Sequence, residues 1–341
     1  MISKFHYFED YEVADSYSKP TVYAARTVSA ADVVNFGCLT ADYSQNHLDR
    51  HYMAKSIYGE RVAHGLLGSS MLTGFLSLNA PHLVGRGVPG AYLYGFEANY
   101  RGGLKVEDTI HVQYRVAEKI DAAAYPGYGL IKTAYEVLNQ DEVAIYNGTV
   151  STLVRKASAK DAKLQLKPEV PWEVEEIVPN PEQVWYAEDH PIGKGGTSDG
   201  RTITEADIVR FAGITGDYNP RYVDAEFAKQ DIFGERIAHE MLVFTTAFAQ
   251  RELHVRRCFK RPRSAFAGHL SDQATFLAPV KIGDTIRCRY KLAACRISQR
   301  RPEAGIITHE LLFINQRNEV VQKGRLLSMV ASKTTASKAA A

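Results

Sequence analysis

The sequence predicts an α+β fold of two related units, each an antiparallel sheet wrapped around a long central helix. Residues 26–67 align without a gap with residues 201–242, at an offset of 175, and 17 of the 42 positions are identical. Self-similarity at half the chain length indicates an internal duplication rather than a short-period repeat. In each half, a helical stretch is followed by segments with the two-residue alternation of half-buried strands.

Each repeat begins with a capped helix. Ser29 opens the pattern S-A-A-D and Thr204 opens T-E-A-D, and both patterns are typical of a capping box. A polar, turn-rich segment follows over residues 40–49, and Asp49 is expected to cap the short helix after it. The run 62–78 is apolar nearly all round, which predicts a central helix enclosed by other structure.

Strands are predicted in matching places of the two halves. The segments TIHVQYRV and TIRCRYKL place apolar residues at every second position, as expected of strands with one buried face. Turn-forming sequences separate them from the next alternating segments in both halves. The predicted strands are 109–116, 129–138, 142–155, 285–292, 305–315 and 319–331.

The domain organisation follows from this duplication. A charged stretch with four prolines separates the halves, and its composition is typical of a linker. The C-terminal sequence is of low complexity and is expected to be disordered. The predicted divisions are an N-terminal unit over 1–156, a linker over 157–183, a C-terminal unit over 184–331 and a tail over 332–341.

Composition excludes several classes of function. Lys plus Arg number 41 and Asp plus Glu 39, so no global charge recruits nucleic acid or an anionic membrane. The four cysteines lack zinc or redox spacing and suit a reducing compartment. The N-terminal sequence has no apolar signal region, and glycines and polar residues interrupt the run 62–78. A cytoplasmic protein without a membrane span is expected.

The first repeat carries a candidate reactive constellation. Asp42 and His47 lie in one polar segment, close enough to hold a water molecule between them. Gly65 begins the central helix, where an unpaired N–H and the helix dipole favour developing negative charge. His64 recurs as His239 in the other repeat, which favours a structural role for both histidines.

The second repeat lacks part of this constellation. Asp217 corresponds to Asp42, but Tyr222 stands at the position of the histidine and Glu240 at that of the glycine. A carboxylate at the start of the helix would repel an oxyanion. The sequence therefore predicts one reactive site, in the N-terminal unit.

The first repeat, D-Y-S-Q-N-H followed by A-H-G-L-L, resembles the signature of the MaoC-like hotdog proteins, D-x-N-P-x-H followed by A-H-G-[ML]-[LM]. The resemblance is to the (R)-specific enoyl-CoA hydratases of the hydratase-2 type, and it covers nearly the whole chain as two fused units. It implies a double hotdog fold and reversible hydration of a trans-2-enoyl-CoA to the (R)-3-hydroxyacyl-CoA. The second repeat, D-Y-N-P-R-Y with A-H-E-M-L, resembles the inactive half of such a protein.

The resemblance also implies roles for particular residues. Asp42 would be the base, His47 the partner that positions the water, and the N–H of Gly65 the donor to the thioester oxygen. Thr73 lies eight residues after the glycine and would supply a supporting hydroxyl. Ser44 stands where the family has asparagine and is a second supporting candidate. The implied substrate carries coenzyme A, and no other cofactor is implied.

A basic cluster follows the second central helix. Such a loop could bind the phosphates of coenzyme A, although a solvated surface loop has the same composition. The sequence has no P-loop, dinucleotide fingerprint, serine elbow or metal-ligand spacing, so neither those chemistries nor a metal are expected. The basic residues are Arg256, Arg257, Lys260, Arg261 and Arg263.

Three alternatives stay open at this level. A branched or dicarboxylic acyl-CoA, as for hydratases of the mesaconyl-CoA type, would be favoured by an arginine or lysine lining the acyl pocket. A hotdog thioesterase would release free thiol from acyl-CoA, and a non-catalytic protein would bind acyl-CoA without turnover. The sequence is compatible with a homodimer, although two fused units already form the pseudo-dimer of single hotdogs.

Overall fold

The structure is a computed structural model that describes residues 6–19, 23, 25–56, 58–88, 90–261 and 268–334. Short 3-10 turns cover Phe8–Asp10, Pro81–Val84, Ala157–Ala159 and Ala187–Asp189. The α-helices in the described ranges are α1 (Ala30–Thr40), α2 (Gln45–Leu48), α3 (Arg50–Met53), α4 (Gly65–Asn79), α5 (Glu205–Thr215), α6 (Pro220–Val223), α7 (Ala225–Gln230) and α8 (Glu240–Cys258).

The strands of the described ranges form one twisted sheet that runs through both units. Its strand order is β1-β3-β4-β5-β2-β9-β12-β11-β10-β7-β6, and β8 pairs with β10. The strands are β1 (Arg26–Thr27), β2 (Tyr92–Tyr100), β3 (Thr109–Asp121), β4 (Tyr128–Leu138), β5 (Ala144–Arg155), β6 (Glu175–Glu176), β7 (Lys194–Thr197), β8 (Arg201–Thr202), β9 (Gly268–Phe276), β10 (Thr285–Ile297), β11 (Ala304–Ile314) and β12 (Val320–Ala331).

The predicted architecture is confirmed in its main features. α4 and α8 are buried along most of their length, and the sheet covers them. The Ser29 and Thr204 side chains cap α1 and α5 in complete capping boxes, because Asp32 and Asp207 return the hydrogen bond to the cap residue. The Asp49 carboxylate accepts a hydrogen bond from the N–H of Tyr52 and caps α3, as expected.

The structure differs from the sequence prediction at two elements that position the site. α4 begins at Gly65 rather than near residue 62, because Val62 and Ala63 are extended and bridge to the segment at Leu104 and Lys105. The polar segment also contains one helical turn, α2, which its turn-rich composition hid. Both differences place Gly65 at the first turn of the helix, where N–H groups lack intrahelical partners.

Strands β2 and β9 join the two units and were not predicted. They pair antiparallel, with Phe96 opposite Ala274 and Ala98 opposite Asp272. Both strands lie in the middle of the sheet, where Phe96 and Ala98 are buried while Glu97 and Gln273 are exposed. Over their full length, YLYGFEANY and GHLSDQATF lack a clean alternation of polar and apolar residues.

The predicted linker is packed against both units. Leu164 and Leu166 contact the core of the first unit, while Glu169 bridges to Val320 and β6 pairs with β7 in the second. Within the described ranges, no helix combines the length and hydropathy needed to cross a bilayer. Of the predicted tail, residues 335–341 lie outside the described residues.

α4 approaches α5 of the other unit closely at Gly74. A Cβ atom on Gly74 would lie 2.1 Å from the carbonyl oxygen of Thr215, which ends α5 of the other unit. The neighbouring atom is a backbone oxygen, so no side-chain rotation can make room for a Cβ atom at Gly74. This glycine therefore sets how closely the two units approach each other.

We predict that Gly74→Ala lowers the free energy of unfolding by about 1–3 kcal/mol, because the added methyl group forces the α4–α5 contact apart. The matched control is Gly213→Ala in the exposed part of α5, where the nearest atom to a new Cβ is 3.8 Å away. That change is expected to stabilise by about 0.5–1 kcal/mol, the helix preference of alanine over glycine. Urea unfolding checks both, and equal effects of the two substitutions would contradict the close-contact assignment.

Candidate active site

The polar loop of the first unit arranges Asp42 and His47 around a common point. The Ser44 hydroxyl donates a hydrogen bond of 2.5 Å to Asp42 Oδ1, and the Ser44 N–H donates one of 3.2 Å to the same oxygen. His47 Nδ1 lies 2.8 Å from the carbonyl oxygen of Val62, so this nitrogen is the protonated donor. The other ring nitrogen, Nε2, is thereby left as an acceptor.

The protonation states follow from burial and from neighbouring groups. Burial raises the pKa of Asp42, but the charges of His64 and His47 and the hydrogen bonds from Ser44 lower it to about 2. Burial lowers the pKa of His47 below its ordinary value of 6.5, against the opposing effect of Asp42. At neutral pH the site therefore holds a carboxylate beside a neutral imidazole, and both can accept hydrogen bonds from one water.

His64 supports this loop from behind, as the repeat comparison indicated. Its Nε2 lies 2.9 Å from the backbone oxygen of Asp42, and its ring stacks on that of His47 at 3.9 Å between centroids. His239 lies at the same distance from the backbone oxygen of Asp217 in the second unit. The same contact in both units favours a structural role.

Gly65 begins α4 directly beside this pair. A Cβ atom at Gly65 would lie 3.0–3.4 Å from the ring of Tyr100, so the glycine lets the ring and the helix start approach each other. Its helix-start N–H has no intrahelical acceptor and carries the positive end of the helix dipole. This arrangement can stabilise a negative charge next to Asp42 and His47.

These residues line a cavity of about 830 Å³ to which both units contribute. Its volume lies in the range of small-molecule and cofactor sites. The first unit supplies Asp42, Ser44, His47, His64, Gly65 and Tyr100, and the second supplies Phe248, Glu252, Arg256, Lys260, Arg261, His269, Leu326 and Met329, among others.

Each polar loop faces the central helix of the other unit. Glu252 of α8 lines the cavity near Asp42, where burial raises the pKa of Glu252 but the charges of Arg261 and Arg251 lower it below its ordinary value. In the same way Thr73 and Ser77 of α4 lie at Asp217, where burial raises the pKa of that carboxyl to about 6 against the effect of the two hydroxyls. The expectation that Thr73 supports Asp42 is therefore not met. Phe248, the repeat counterpart of Thr73, lines the first site instead.

The basic cluster is divided between the cavity and the outer surface. Arg256, Lys260 and Arg261 line the cavity, and Arg261 lies 2.9 Å from Glu252. Arg257 points elsewhere and pairs with Asp199 at 2.5 Å, where both side chains are exposed. Arg263 lies outside the described residues. Three members of the predicted cluster are thus placed where an anionic part of a ligand could lie.

A chain of polar groups at the wall of the cavity was not predicted from the sequence. Ser69 Oγ lies 3.1 Å from the Tyr100 hydroxyl, which donates to Asp272 at 2.7 Å, and Asp272 lies 3.1 Å from His269 Nε2. Burial lowers the pKa of His269, but Asp272 raises it above its ordinary value. The residues belong to α4, β2 and β9, and only the unpredicted β2–β9 pairing brings them together.

The fold also gathers a set of side chains that could hold a metal ion. One donor atom each from Asp42, His47 and His64 lies within 4.8 Å of the others, a type of set found at catalytic zinc sites. No sequence spacing had indicated it. The Nδ1 atoms of His64 and His239 are both buried without a hydrogen-bond partner, and the second unit has Tyr222 in place of His47. The unpartnered nitrogen therefore belongs to the shared fold.

The corresponding place in the second unit is filled by its own side chains. The Tyr222 hydroxyl donates a 2.6 Å hydrogen bond to the Glu240 carboxylate, which also interacts with its own backbone N–H at the start of α8. Burial raises the pKa of Glu240 to about 7 and that of Asp217 to about 6, against the effects of Tyr222 and of Ser77 respectively. Tyr222 and Glu240 thus fill the space that His47 and Gly65 leave open in the first unit.

Together, the continuous sheet over two central helices and the open polar site at Asp42 and His47 define a double hotdog protein. The chain belongs to the MaoC like domain family, whose sequence profile matches residues 15–125 and 189–311. Its similarity to known proteins is spread over both units, as expected for a duplicated chain.

Among similar proteins is the (R)-specific enoyl-CoA hydratase of Rhodospirillum rubrum, 37% identical over 148 residues, which are 43% of this chain and 93% of the relative. The 3-hydroxybutyryl-CoA dehydratase of Methylorubrum extorquens is 32% identical over 114 residues, 33% of this chain and 66% of the relative. The protein MaoC of Klebsiella aerogenes is 36% identical over 115 residues. There the match covers 33% of this chain and only 31% of the relative.

Solved structures show the fold over nearly the whole chain. A conserved Mycobacterium tuberculosis protein with a double hotdog fold superposes with a TM-score of 0.68 and 15% identity, covering 94% of this chain and 97% of the other. A MaoC domain protein from Chloroflexus aurantiacus gives a TM-score of 0.74, with 15% identity and coverage of 96% and 98%. The predicted family and fold are confirmed.

We predict that Glu240→Gln weakens the pH dependence of stability. Because the folded-state pKa of Glu240 is about 7 rather than 4.5, its protonated form contributes stability below about pH 4.5, and this contribution is lost as the pH rises through 7. The wild type should therefore lose up to about 3 kcal/mol more than the variant between pH 4.5 and 8.

Urea unfolding at a series of pH values measures this difference. The exposed Glu226, which pairs with Lys229 at the surface, provides a control, since Glu226→Gln removes a carboxylate without burial. If Glu240→Gln and the wild type have parallel pH profiles, the buried carboxyl is not the titrating group.

Proposed function

We propose that this protein catalyses the reversible hydration of a trans-2-enoyl-CoA to the (R)-3-hydroxyacyl-CoA. The observation that carries the proposal is the meeting of Asp42, His47 and the helix-start N–H of Gly65 at one cavity. The similarity to an (R)-specific enoyl-CoA hydratase over 93% of that relative supports the same chemistry and the R configuration.

The water would be held by two acceptors. One of its hydrogens would be bound by the Asp42 carboxylate and the other by His47 Nε2, since Nδ1 is engaged by Val62. The sequence had suggested Asp42 as the base. Because Asp42 Oδ1 already accepts two hydrogen bonds from Ser44 while His47 Nε2 is left to accept one from the water, we assign the proton acceptor to His47 and give Asp42 the orienting and charge-stabilising role.

The addition balances with a single water. As the water oxygen bonds to C3, the C2=C3 electron pair moves towards the thioester and His47 takes the water proton. The oxygen of the thioester carbonyl gains negative charge, which the N–H of Gly65 and the dipole of α4 would stabilise. Return of the proton from His47 to C2 completes the product and restores neutral imidazole. No metal or redox group enters this sequence.

The second unit would serve binding rather than chemistry. The Glu240 carboxylate stands at its helix start in place of a glycine, and Tyr222, which donates to that carboxylate, occupies the position of the histidine. Its remaining contribution is the wall of the first site, formed by Phe248, Met329 and the cationic residues. This division is consistent with one active site per chain.

A second candidate substrate class carries an additional carboxylate on the acyl group, as in mesaconyl-CoA. The observation that favours it is the presence of Arg256, Lys260 and Arg261 in the cavity lining, since one of these cations could pair with an acyl carboxylate. The same cations could equally bind the phosphates of coenzyme A. Turnover of crotonyl-CoA and mesaconyl-CoA compared side by side separates the two classes.

We predict that Asp42→Asn reduces kcat/KM for crotonyl-CoA hydration by roughly 10²- to 10⁴-fold, because the water loses a charged acceptor and the imidazolium its counter-ion. The loss of enoyl thioester absorbance measures turnover. The matched control is Asp217→Asn, the same substitution at the corresponding position of the second unit, which should leave kcat/KM near the wild-type value.

The same assay separates the other functions. Thiol release detected in parallel would identify a thioesterase, and tight binding of all thioesters without turnover would identify a binding protein. Retention of activity after exhaustive chelation is expected, since the Asp42, His47 and His64 set acts here without a metal. Equal losses in Asp42→Asn and Asp217→Asn would contradict the assignment of the chemistry to the first unit.

A further inference from the structure

The two polar loops differ in how their first helical turn is held. In the second unit, the Asn219 side chain accepts a hydrogen bond from the N–H of Arg221, and Pro220 fixes the first residue of α6. In the first unit, Ser44 makes no such cap to α2, and Gln45 replaces the proline. The Ser44 hydroxyl instead turns to Asp42, so this loop lacks the local restraint of its counterpart.

The restraint that replaces it comes from the other unit. Arg256 Nη2 donates a 3.0 Å hydrogen bond to Ser44 Oγ, and Ser44 Oγ donates in turn to Asp42 Oδ1. The two hydrogen bonds form a chain that runs in one direction, from a cation through a hydroxyl to a carboxylate. Such linked hydrogen bonds strengthen one another, because each polarises the next.

This contact exists because the two central helices differ in length. α8 spans 19 residues and α4 spans 15, and Arg256 lies in the added turn of α8. The corresponding position in the first unit is Pro81, which lies beyond the end of α4. The first unit therefore has no arginine at the position that corresponds to Arg256.

We propose that Arg256 is a positioning residue for the reaction of the first unit, acting through Ser44 to fix the orientation of the Asp42 carboxylate. The proposal rests on the proposed function, in which Asp42 holds the catalytic water. It also gives a role to the serine that stands where the second repeat has Asn219. Arg256 is exposed on one side, so a solvent-facing cation at this point has an alternative use in binding coenzyme A phosphates.

The test compares crotonyl-CoA with crotonyl-pantetheine, a thioester without phosphates. If Arg256 positions Asp42, Arg256→Met lowers kcat by roughly 5- to 50-fold with both substrates and leaves KM for crotonyl-pantetheine unchanged. Ser44→Ala should give a similar loss, and the double variant should lose little more than either single variant. Arg256→Lys, which retains a donor, should recover part of kcat.

One further readout, with a matched control, separates positioning from a general structural effect. The acid limb of the pH profile of kcat should move to higher pH in Arg256→Met and Ser44→Ala, because the Asp42 carboxylate without its donor raises the pKa of His47, the proposed proton acceptor, further. Arg257→Met is the control, since Arg257 pairs with Asp199 at the surface and is expected to leave both kcat and the pH profile unchanged.

The outcome that overturns the proposal is a change confined to KM for crotonyl-CoA, which would make Arg256 a phosphate-binding residue. Unchanged kinetics in Arg256→Met and Ser44→Ala would overturn it too. If the wild type hydrates neither thioester, the proposed function fails. A double-mutant cycle on the urea midpoint still tests the hydrogen-bond chain from Arg256 through Ser44 to Asp42. Additive midpoint shifts for the two substitutions would then show that Arg256 and Ser44 are uncoupled.

Discussion

The structure depends on the way the helices of the two units pack side by side beneath one continuous sheet. β2 pairs with β9 at its centre, so the central helices are held side by side, and Gly74 of α4 meets the end of α5 without an intervening side chain. This packing turns each polar loop towards the helix of the other unit. A site in either unit is therefore completed by its partner, and a substitution on one helix changes the chemistry of the opposite loop.

This packing explains how the two halves of one duplication can diverge without losing the fold. The contact of His64 with the Asp42 backbone and that of His239 with the Asp217 backbone are the same, and they hold the two loops in similar positions. The groups that face the enclosed space differ. A histidine and a glycine leave one space open to water and to an oxyanion, whereas Tyr222 and Glu240 fill the other with a hydrogen-bonded pair.

The two units also differ in the pKa values of their buried carboxyls. In the first unit, histidine and Ser44 keep Asp42 ionised despite burial, whereas Asp217 has hydroxyl partners and a raised pKa. A buried carboxylate needs charged or multiple hydrogen-bond partners to stay ionised. The second unit instead buries Asp217 and Glu240, and burial raises the pKa of both carboxyls, which suits a structural role.

Much of the fold and the centre of the site could be predicted from the sequence because they depend on local order. Capping by Ser29 and Asp49, the enclosed central helix and the spacing of Asp42, His47 and Gly65 are all set within one repeat. Comparison of the two repeats also indicated a structural role for His64, in contrast to the reactive pair Asp42 and His47.

The remainder depends on contacts between distant segments. Thr73 was expected beside Asp42 but lies at Asp217, because only the crossing of the helices decides which loop it faces. Tyr100 and His269 meet through a strand pair with no clear alternation, and the reach of Arg256 to Ser44 depends on one added helical turn. No local pattern carries that information.

The most direct test of the central claim is a crystal structure of an inactive variant of the full chain with crotonyl-CoA bound. We expect the thioester oxygen within hydrogen-bond distance of the Gly65 N–H, and a water between Asp42 and His47 near C3. The acyl chain should lie against α8 of the second unit. A thioester bound at Asp217 and Glu240, or one whose carbonyl points away from α4, would contradict the assignment.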